Sequence, residues 1–374
     1  MIFIYSVIVT LVGISMVIYL LLNLRKIKKL KAQPIIATQP ALAIIVAVRN
    51  EEEDLEKALQ SLCNINYCNH RLIVINDRST DRTAEILQKF DSPKLEIITL
   101  DTLPDGWLGK NNALYQGYLA STEEWLLFTD ADVEFHPDAI SKAFSYVEKH
   151  QLDHLSILPD VRSRSALLNS VLATFTLMLM TVMRPWEARN PKRRGFVGVG
   201  AFNLVKRTAY EKAGTHVRIK LKPLDDAILG QNIKRAGLRQ DALSGEGLIC
   251  LEWYKSIKQF RNGLMKNSFA MNRFNLFRTL FDVSGALLFV ALPLPVMLIF
   301  GNTDIRLMAC LLTAMQLLYM SVVPPNKWWY ILMIPYTGFL IAYIISRSAY
   351  TTLKQGGIYW RDSFYPLSAL KSEA

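Results

Sequence analysis

Asp130-Ala131-Asp132 follows directly on the apolar run Trp125-Leu126-Leu127-Phe128-Thr129. A buried strand that opens onto two carboxylates offers hard oxygen ligands, the kind that Mg²⁺ or Mn²⁺ prefers, and such a cation can hold a diphosphate. One Asp-x-Asp is weak by itself. A chain of this length yields on the order of one by chance, and two turn residues read the same way. Other polar clusters follow other short apolar runs, however. Val48-Arg49-Asn50-Glu51 ends one of them, and Asp77-Arg78-Ser79-Thr80-Asp81 ends the next. Open α/β sheets bind ligands beyond the C-terminal ends of their strands. Three clusters converging on one edge signal more than any one of them.

The elements that must place these clusters are legible in the periodicity. Residues 42–48, 72–76, 95–99 and 125–129 read as buried strands. Asn50 is expected to cap a helix whose first turn holds Glu51, Glu52 and Glu53, as the helix dipole favours. Leu55, Ala58, Leu59 and Leu62 then repeat at helical spacing, and a further helix runs through Ala84, Ile86 and Leu87. Strands alternating with helices predict an α/β fold: a mostly parallel sheet with helices on both faces. Read singly, 77–81 is equally a turn with a helix cap. Glu51–Glu53 read as a solvated first turn, with Glu51 the exception.

The chain of 374 residues carries a net charge of +11, yet 51% of its residues are hydrophobic. A basic, apolar chain points to an anionic membrane surface. No nucleic-acid motif stands out. Cys63, Cys68, Cys250 and Cys310 lack zinc-type spacing and read as reduced cytosolic thiols. Residues 2–22 are apolar and long enough to cross a bilayer, and they lack the basic start of a signal peptide. They read as an uncleaved anchor. Arg25, Lys26, Lys28, Lys29 and Lys31 follow, which places the next residues in the cytosol by the positive-inside rule.

Three more candidate spans are expected at 281–300, 307–323 and 328–346. If all three cross, the tail with Arg347, Lys354, Arg361 and Lys371 lies opposite the cytosolic domain, although its charge favours the cytosol. Either one segment is re-entrant or one is not a span. The apolar stretch 166–183 holds Asn169, Ser170, Thr174, Thr176 and Thr181 and reads as a helix in the membrane interface. The expected plan is an anchor (1–24), a basic linker (25–40), a cytosolic domain (41–275), membrane segments (276–346) and a basic tail (347–374).

With these motifs in hand, the chain resembles membrane-anchored family 2 glycosyltransferases. The carriers are Val48-Arg49-Asn50-Glu51-Glu52, Val74-Ile75-Asn76-Asp77-Arg78-Ser79-Thr80-Asp81 and Thr129-Asp130-Ala131-Asp132-Val133. Pro104-Asp105-Gly106-Trp107-Leu108-Gly109-Lys110-Asn111-Asn112-Ala113 is more discriminating and looks like the branch of hopanoid-associated and carotenoid glycosyltransferases, with ceramide glucosyltransferase a distant relative. The resemblance implies a GT-A-like, Rossmann-like nucleotide-sugar-binding domain with N- and C-terminal transmembrane helices. It implies a divalent metal, Mg²⁺ or Mn²⁺, as cofactor. As partners it implies a nucleotide sugar (UDP-linked), a lipid or amphipathic acceptor and the membrane, with no nucleic acid. Asn50, Glu51, Asp77, Lys110 and Asp130 are the implied donor contacts, with Asp77 on the base and ribose. Asp130 and Asp132 are the implied metal-and-diphosphate pair.

On the acceptor side the resemblance rests on Gly198-Val199-Gly200-Ala201-Phe202-Asn203, with Gly200 and Ala201 the candidates, and on His216, which as an isolated histidine reads as a packed residue. Leu224-Asp225-Asp226-Ala227 looks like the family's acidic pair, with Asp226 the implied general base and Asp225 its support; read alone, it is a helix start with favourable acids. Processive synthases of this family carry Gln-x-x-Arg-Trp. Here the stretch is Gln259-Phe260-Arg261-Asn262, which argues for a single addition. Arg261 is a candidate phosphate contact and equally a cation for lipid heads. Tyr359-Trp360-Arg361-Asp362 resembles an element of the carotenoid-type branch. The expected function is an inverting, metal-dependent glycosyltransferase of the cell membrane with its catalytic domain in the cytosol. The competing expectations are a non-catalytic membrane scaffold and a processive polysaccharide synthase.

Overall fold

The computed structural model describes residues 1–322, 327–360 and 363–372. It divides into two compact units: Ile27–Arg162 with Met183–Trp253, and Met1–Lys26 with Ser163–Val182 and Tyr254–Ala374.

The first unit is built on one eight-stranded sheet. Its strands are β1 (Lys28–Lys29), β2 (Leu42–Val48), β3 (His70–Asp77), β4 (Leu95–Leu100) and β5 (Trp125–Thr129); after the short β6 (Val133–Phe135) come β7 (His154–Leu158) and, after β8 (Asp160–Val161), β9 (Asn203–Lys206) and β10 (Gln240–Ser244). The spatial order is β1-β10-β7-β9-β5-β2-β3-β4. All pairs are parallel except those of β9, which runs antiparallel between β5 and β7. β6, β8 and β11 (Ile249–Leu251) form a small second sheet.

β2 sits at the centre because both of its faces are covered. Ile44, Val46 and Val48 point into one core with Leu55, Leu59, Phe144 and Val147, while Ala43 and Ile45 point into another with Ala113, Tyr210 and Leu229. A strand buried on both faces reads as a continuous apolar run, which is what Leu-Ala-Ile-Ile-Val-Ala-Val is. Burying each of the Leu, Ile and Val side chains of this run contributes about 1.5–3 kcal/mol. The helix Gly109–Ala120 packs hard on this face: a Cβ at Gly117 would lie 2.4 Å from Ile45 Cγ2.

One local expectation fails at Asn50. It does not cap a helix; the helix is Leu55–Cys63 and begins only after the turn at 52–54. Asn50 takes a left-handed backbone (φ +54°). Its side chain instead accepts from Thr80 N–H at 2.8 Å, and its own N–H donates to Ser79 Oγ at 3.1 Å. Asn tolerates that conformation, and here it ties the loop after β2 to the loop after β3.

The second unit is helical. Among the described residues, three helices are long and apolar enough to cross a membrane: Ile2–Leu24, Ala166–Glu187 and Trp328–Gln355. Leu276–Ala291 and Pro293–Phe300 make a fourth candidate bent by 48°, a broken span or a re-entrant loop. The bend lies between a π-helical turn, Ala286–Ala291, and Pro293, which cannot donate to the helix ladder. The expected span 307–323 falls on the helix Thr303–Val322, which carries Asp304 and Arg306 in its first turn and is not among the three. Residue 323 and the break 324–326 lie outside the described residues.

Small residues set close approaches here. A Cβ at Gly13 would lie 2.6 Å from Leu312 Cδ1, and one at Gly338 would lie 2.6 Å from Ala291 N. Ser348 Oγ donates to Met265 O at 2.5 Å and accepts from Phe269 N–H at 3.1 Å, which joins the helices Ile334–Gln355 and Ile257–Met271. In the tail, Gly357–Trp360 pairs antiparallel with Ser363–Pro366. Arg361 and Asp362 lie outside the described residues.

Candidate active site

The C-terminal ends of β2, β3 and β5 carry Arg49-Asn50, Asp77 and Asp130 to one edge of the sheet. Because β9 is antiparallel, its first residue lies at that same edge, with Asn203 opposite Phe128. The segment entering β9 therefore crosses the end of β5. Asp130 N–H donates to Gly200 O at 3.1 Å, and Thr129 Oγ1 donates to Ala201 O at 2.8 Å. In this way the glycine segment meets the Asp-x-Asp, although 70 residues separate Asp130 from Gly200. Gly200 is required by space: a Cβ there would lie 2.4 Å from Asp130 Oδ2.

Asp77 is buried and salt-bridged. Arg78 reaches both of its oxygens, Nε to Oδ1 at 2.7 Å and Nη2 to Oδ2 at 2.9 Å, and Arg49 Nη1 stands 3.8 Å from Oδ2. Arg78 takes a left-handed backbone (φ +53°), which turns its guanidinium back onto the neighbouring carboxylate. Gly109 closes over the pair, since a Cβ there would lie 2.4 Å from Asp77 Oδ2.

Lys110 is in the first turn of the helix Gly109–Ala120. Its Nζ lies 2.7 Å from Asp130 Oδ1 and 3.5 Å from Asp225 Oδ1. Burial would lower the Lys110 pKa, but Asp130, Asp225 and Asp226 together hold it well above the usual lysine value. The helix Asp225–Arg235 brings the acidic pair to the cluster with its N-terminus. Asp226 Oδ2 accepts from Gly200 N–H and Oδ1 from Ala227 N–H, both at 2.7 Å. This helix lies flush on the glycine segment: a Cβ at Gly198 would lie 1.9 Å from Asp226 O.

The carboxyls are crowded. Burial first, then Asp130 and Glu51, push Asp132 up to about 7. Burial also raises Asp225 to about 7, with Lys110 opposing and Asp226 and Asp130 adding. Asp226 is raised as well, by burial before Asp130. No group of three or more His, Cys, Asp or Glu side chains forms a ready metal site among the described residues. Two carboxylates suffice where a bound phosphate supplies further oxygens, because Mg²⁺ is commonly held by one or two carboxylates plus substrate phosphates and water. The donors at Asp130 and Asp132 are hard oxygens. Asp132 is short of positive charge, a condition that a cation relieves. The residues present fit such a cation.

Asn50, Glu51, Asp77, Lys110, Asp130, Asp132, Gly200, Ala201, Asp225 and Asp226 thus come from strand ends, helix starts and loops of one unit. His216 is buried and fully engaged: its N–H donates to Tyr210 Oη at 2.9 Å, and its Nδ1 lies 2.6 Å from the same hydroxyl. Burial, before Lys110, pushes the imidazole down to about 3. Arg261 belongs to the other unit, where its guanidinium donates to Asn262 Oδ1.

Asn111 was not among the expected site residues. Its buried Nδ2 donates to Ile219 O at 2.7 Å, Lys222 O at 3.0 Å and Lys220 O at 3.2 Å. Together with Leu108 N–H on Lys220 O, it ties the helix bearing Lys110 to the loop that leads to Asp225. The signal was an Asn-Asn pair just after the Gly-Lys, inside a helix that needs no cap there.

Residues 43–214 match glycosyl transferase family 2. The chain carries a glycosyl transferase family 2 domain. It is 26% identical over 247 residues to a 4,4'-diaponeurosporenoate glycosyltransferase of Staphylococcus haemolyticus, covering 65% of each chain. To the protein of the same description from Staphylococcus aureus (strain USA300) it is 25% identical over 232 residues, covering 61% of this chain and 60% of that one. The match spans less than two thirds of the length of these relatives. Both relatives are in line with the carotenoid-type branch that the 104–113 motif resembles. In fold, the chain is similar to the mannosyltransferase PcManGT from Pyrobaculum calidifontis, solved with GDP-Man and Mn²⁺: TM-score 0.59 and 15% identity, covering 95% of this chain and 99% of that one. The domain has a GT-A-like fold.

Proposed function

We propose that the protein is an inverting glycosyltransferase that moves one sugar from a nucleotide sugar to a lipid or amphipathic acceptor. The observation that carries this reading is the continuous chain Lys110–Asp130–Gly200–Asp226. It joins a diphosphate-type cation-and-carboxylate cluster to a second carboxylate held on two backbone N–H groups.

Asn50, Glu51 and Asp77 bind the nucleoside in this reading. Asp77 accepts from the base and ribose after Arg78 swings away from it. Asp226 faces the acceptor and takes the hydroxyl proton as the acceptor oxygen attacks the anomeric carbon from the side opposite the diphosphate. The anomeric carbon–oxygen bond breaks, and its electron pair leaves with the nucleoside diphosphate. Asp225 and Lys110 keep Asp226 and Asp130 in register. Asp130 and Asp132, together with the diphosphate, would hold a divalent cation, which would supply neutralisation of the charge that develops on the departing group. Gly200 and Ala201 give the acceptor close access to the backbone.

A lipid acceptor stays in the bilayer, and this chain carries helices apolar enough to cross one. The relatives are named for a carotenoid acid, which supports a lipid-like acceptor here. The proposed location is the cell membrane with the domain in the cytosol, as Arg25, Lys26, Lys28, Lys29 and Lys31 favour.

The test uses the full chain in lipid with Mn²⁺ and a panel of UDP- and GDP-sugars, measuring nucleoside-diphosphate release with and without membrane-lipid extract. Release from one donor that rises with the extract supports the reading. Nucleotide binding without release from any donor, extract included, argues for a non-catalytic scaffold. A product with several sugars overturns single addition.

A further inference from the structure

The acidic cluster holds Asp130, Asp132, Asp225 and Asp226, with Glu51 close enough to act on Asp132, and Lys110 pairs with Asp130 and Asp225 within it. Asp226 is served by two backbone N–H groups. Lys110 spends its charge on Asp130 and Asp225, and no ion pair to Asp132 occurs among the described residues.

The base of this lysine is fixed. Gly109 sits against Asp77, and Asn111 pins the same helical turn to three carbonyls. Only the flexible stem can move, and a lysine ammonium is a compact charge that changes partners readily. A divalent cation arriving at Asp130 and Asp132 would come close to that ammonium. Two positive charges at such close quarters repel, and more strongly in a partly buried site than in water. Metal and ammonium therefore compete for Asp130, unless an incoming diphosphate offers the ammonium another anion.

We infer that Lys110 is the resident counter-ion of the donor-free cluster: it blocks metal alone at Asp130 and moves onto the diphosphate when metal and nucleotide arrive together. This rests on the reading given under Proposed function. Its consequence is coupling. Metal and nucleoside diphosphate each raise the affinity for the other, by the same factor, and Lys110 carries much of that factor. The empty site is thereby kept from sequestering metal before the donor is present.

The test is equilibrium binding of Mn²⁺ to the full-length protein in detergent, read from the EPR signal of free Mn²⁺, without nucleotide and with UDP or GDP. Lys110→Met should bind Mn²⁺ alone about fivefold tighter than the unmodified protein, a change of roughly 1 kcal/mol. The enhancement by nucleoside diphosphate should shrink in the same variant. Lys110→Arg, which keeps the charge, should restore weak binding of Mn²⁺ alone. Structural damage cannot mimic this pattern, because it lowers affinity rather than raising it. Lys110→Gln replaces the Met variant if that one fails to fold.

If Lys110→Met and Lys110→Gln bind Mn²⁺ alone no more tightly than the unmodified protein, the inference is overturned and the metal reading stands. If no form binds Mn²⁺ with UDP or GDP present, the metal reading fails and the inference with it.

Discussion

Gly200 N–H donates to Asp226 Oδ2 at 2.7 Å. The same glycine has Asp130 on its other side, with Oδ2 only 2.4 Å from where a Cβ would stand. One residue without a side chain therefore spaces the two carboxylates assigned to opposite ends of the reaction. Neither contact is visible in the local sequence, because Gly200 lies 70 positions after Asp130 and 26 before Asp226.

Gly200→Ala is expected to push Asp130 away or displace the segment that holds Asp226. Misplacement of a reacting group by about 1 Å costs on the order of 10²-fold in rate. Sugar transfer should fall by about that factor while the domain stays folded, since the added methyl meets a side chain end rather than core. Thermal melting alongside donor-dependent nucleotide release checks this. Unchanged release would show that the spacing does not matter.

Asp226→Asn removes the proposed proton acceptor and leaves the donor side intact. Transfer should fall by about 10²–10⁴-fold, the usual range for a lost general base, with nucleotide affinity preserved. Burial raises the Asp226 carboxyl above the usual carboxylate range. The basic form therefore gains population as pH rises through that raised value. The rate at limiting substrate should climb over this limb and the Asn variant should lack it. A variant with the same limb would assign it to another group.

Much of the donor side was readable because it follows local rules. The bounds of β2 and β5 agree with the apolar runs at 42–48 and 125–129, and the clusters at their ends lie where open sheets place ligands. Asn50 takes the other role its residue type offers, because Asn suits both a helix cap and a left-handed turn and the local sequence does not separate the two. Its bond to Thr80, 30 residues on, outweighs the helix start that Glu51–Glu53 suggested. β9 was not identified because Asn-Leu-Val-Lys is too short to read; only its pairing between β5 and β7 makes it a strand. That one strand carries the glycine segment to the sheet edge. The expected plan sets 166–183 apart as an interfacial helix within the domain; in the structure 163–182 clusters with the apolar helices while 183–253 returns to the sheet unit.

Asp130→Ala tests the donor side independently. The variant deprives Lys110 of its 2.7 Å partner and the proposed cation of a ligand. Turnover should be lost, and Mn²⁺-dependent nucleotide binding should weaken by tenfold or more, about 1.4 kcal/mol. Calorimetric titration of UDP and GDP, with and without Mn²⁺, measures this. Full turnover would remove Asp130 from the metal assignment.

His154 gives a pH test outside the acidic cluster. It is buried on β7; its Nε2 pairs with Asn203 Oδ1, and its Nδ1 has no hydrogen-bond partner among the described residues. Burial pushes its pKa down to about 4, against the hydrogen bond it makes to Asn203 Oδ1, which acts in the opposite direction. Its unfolded value is the ordinary 6.5. Between these values the unfolded chain binds the proton and the folded chain does not, so stability falls as pH falls. The contribution is fully present above pH 6.5 and is lost by about 1.4 kcal/mol per pH unit down to about pH 4. Asp132 and Asp225, with raised values, act in the opposite direction over part of this range, so the net curve of the unmodified protein does not isolate His154. The difference against His154→Gln does. Denaturant midpoints of the two forms should diverge at pH 7.5 and converge, or cross, toward pH 4.5. A gap that stays constant with pH would mean that His154 titrates in the folded protein as it does in the unfolded chain, and would refute the effect of burial.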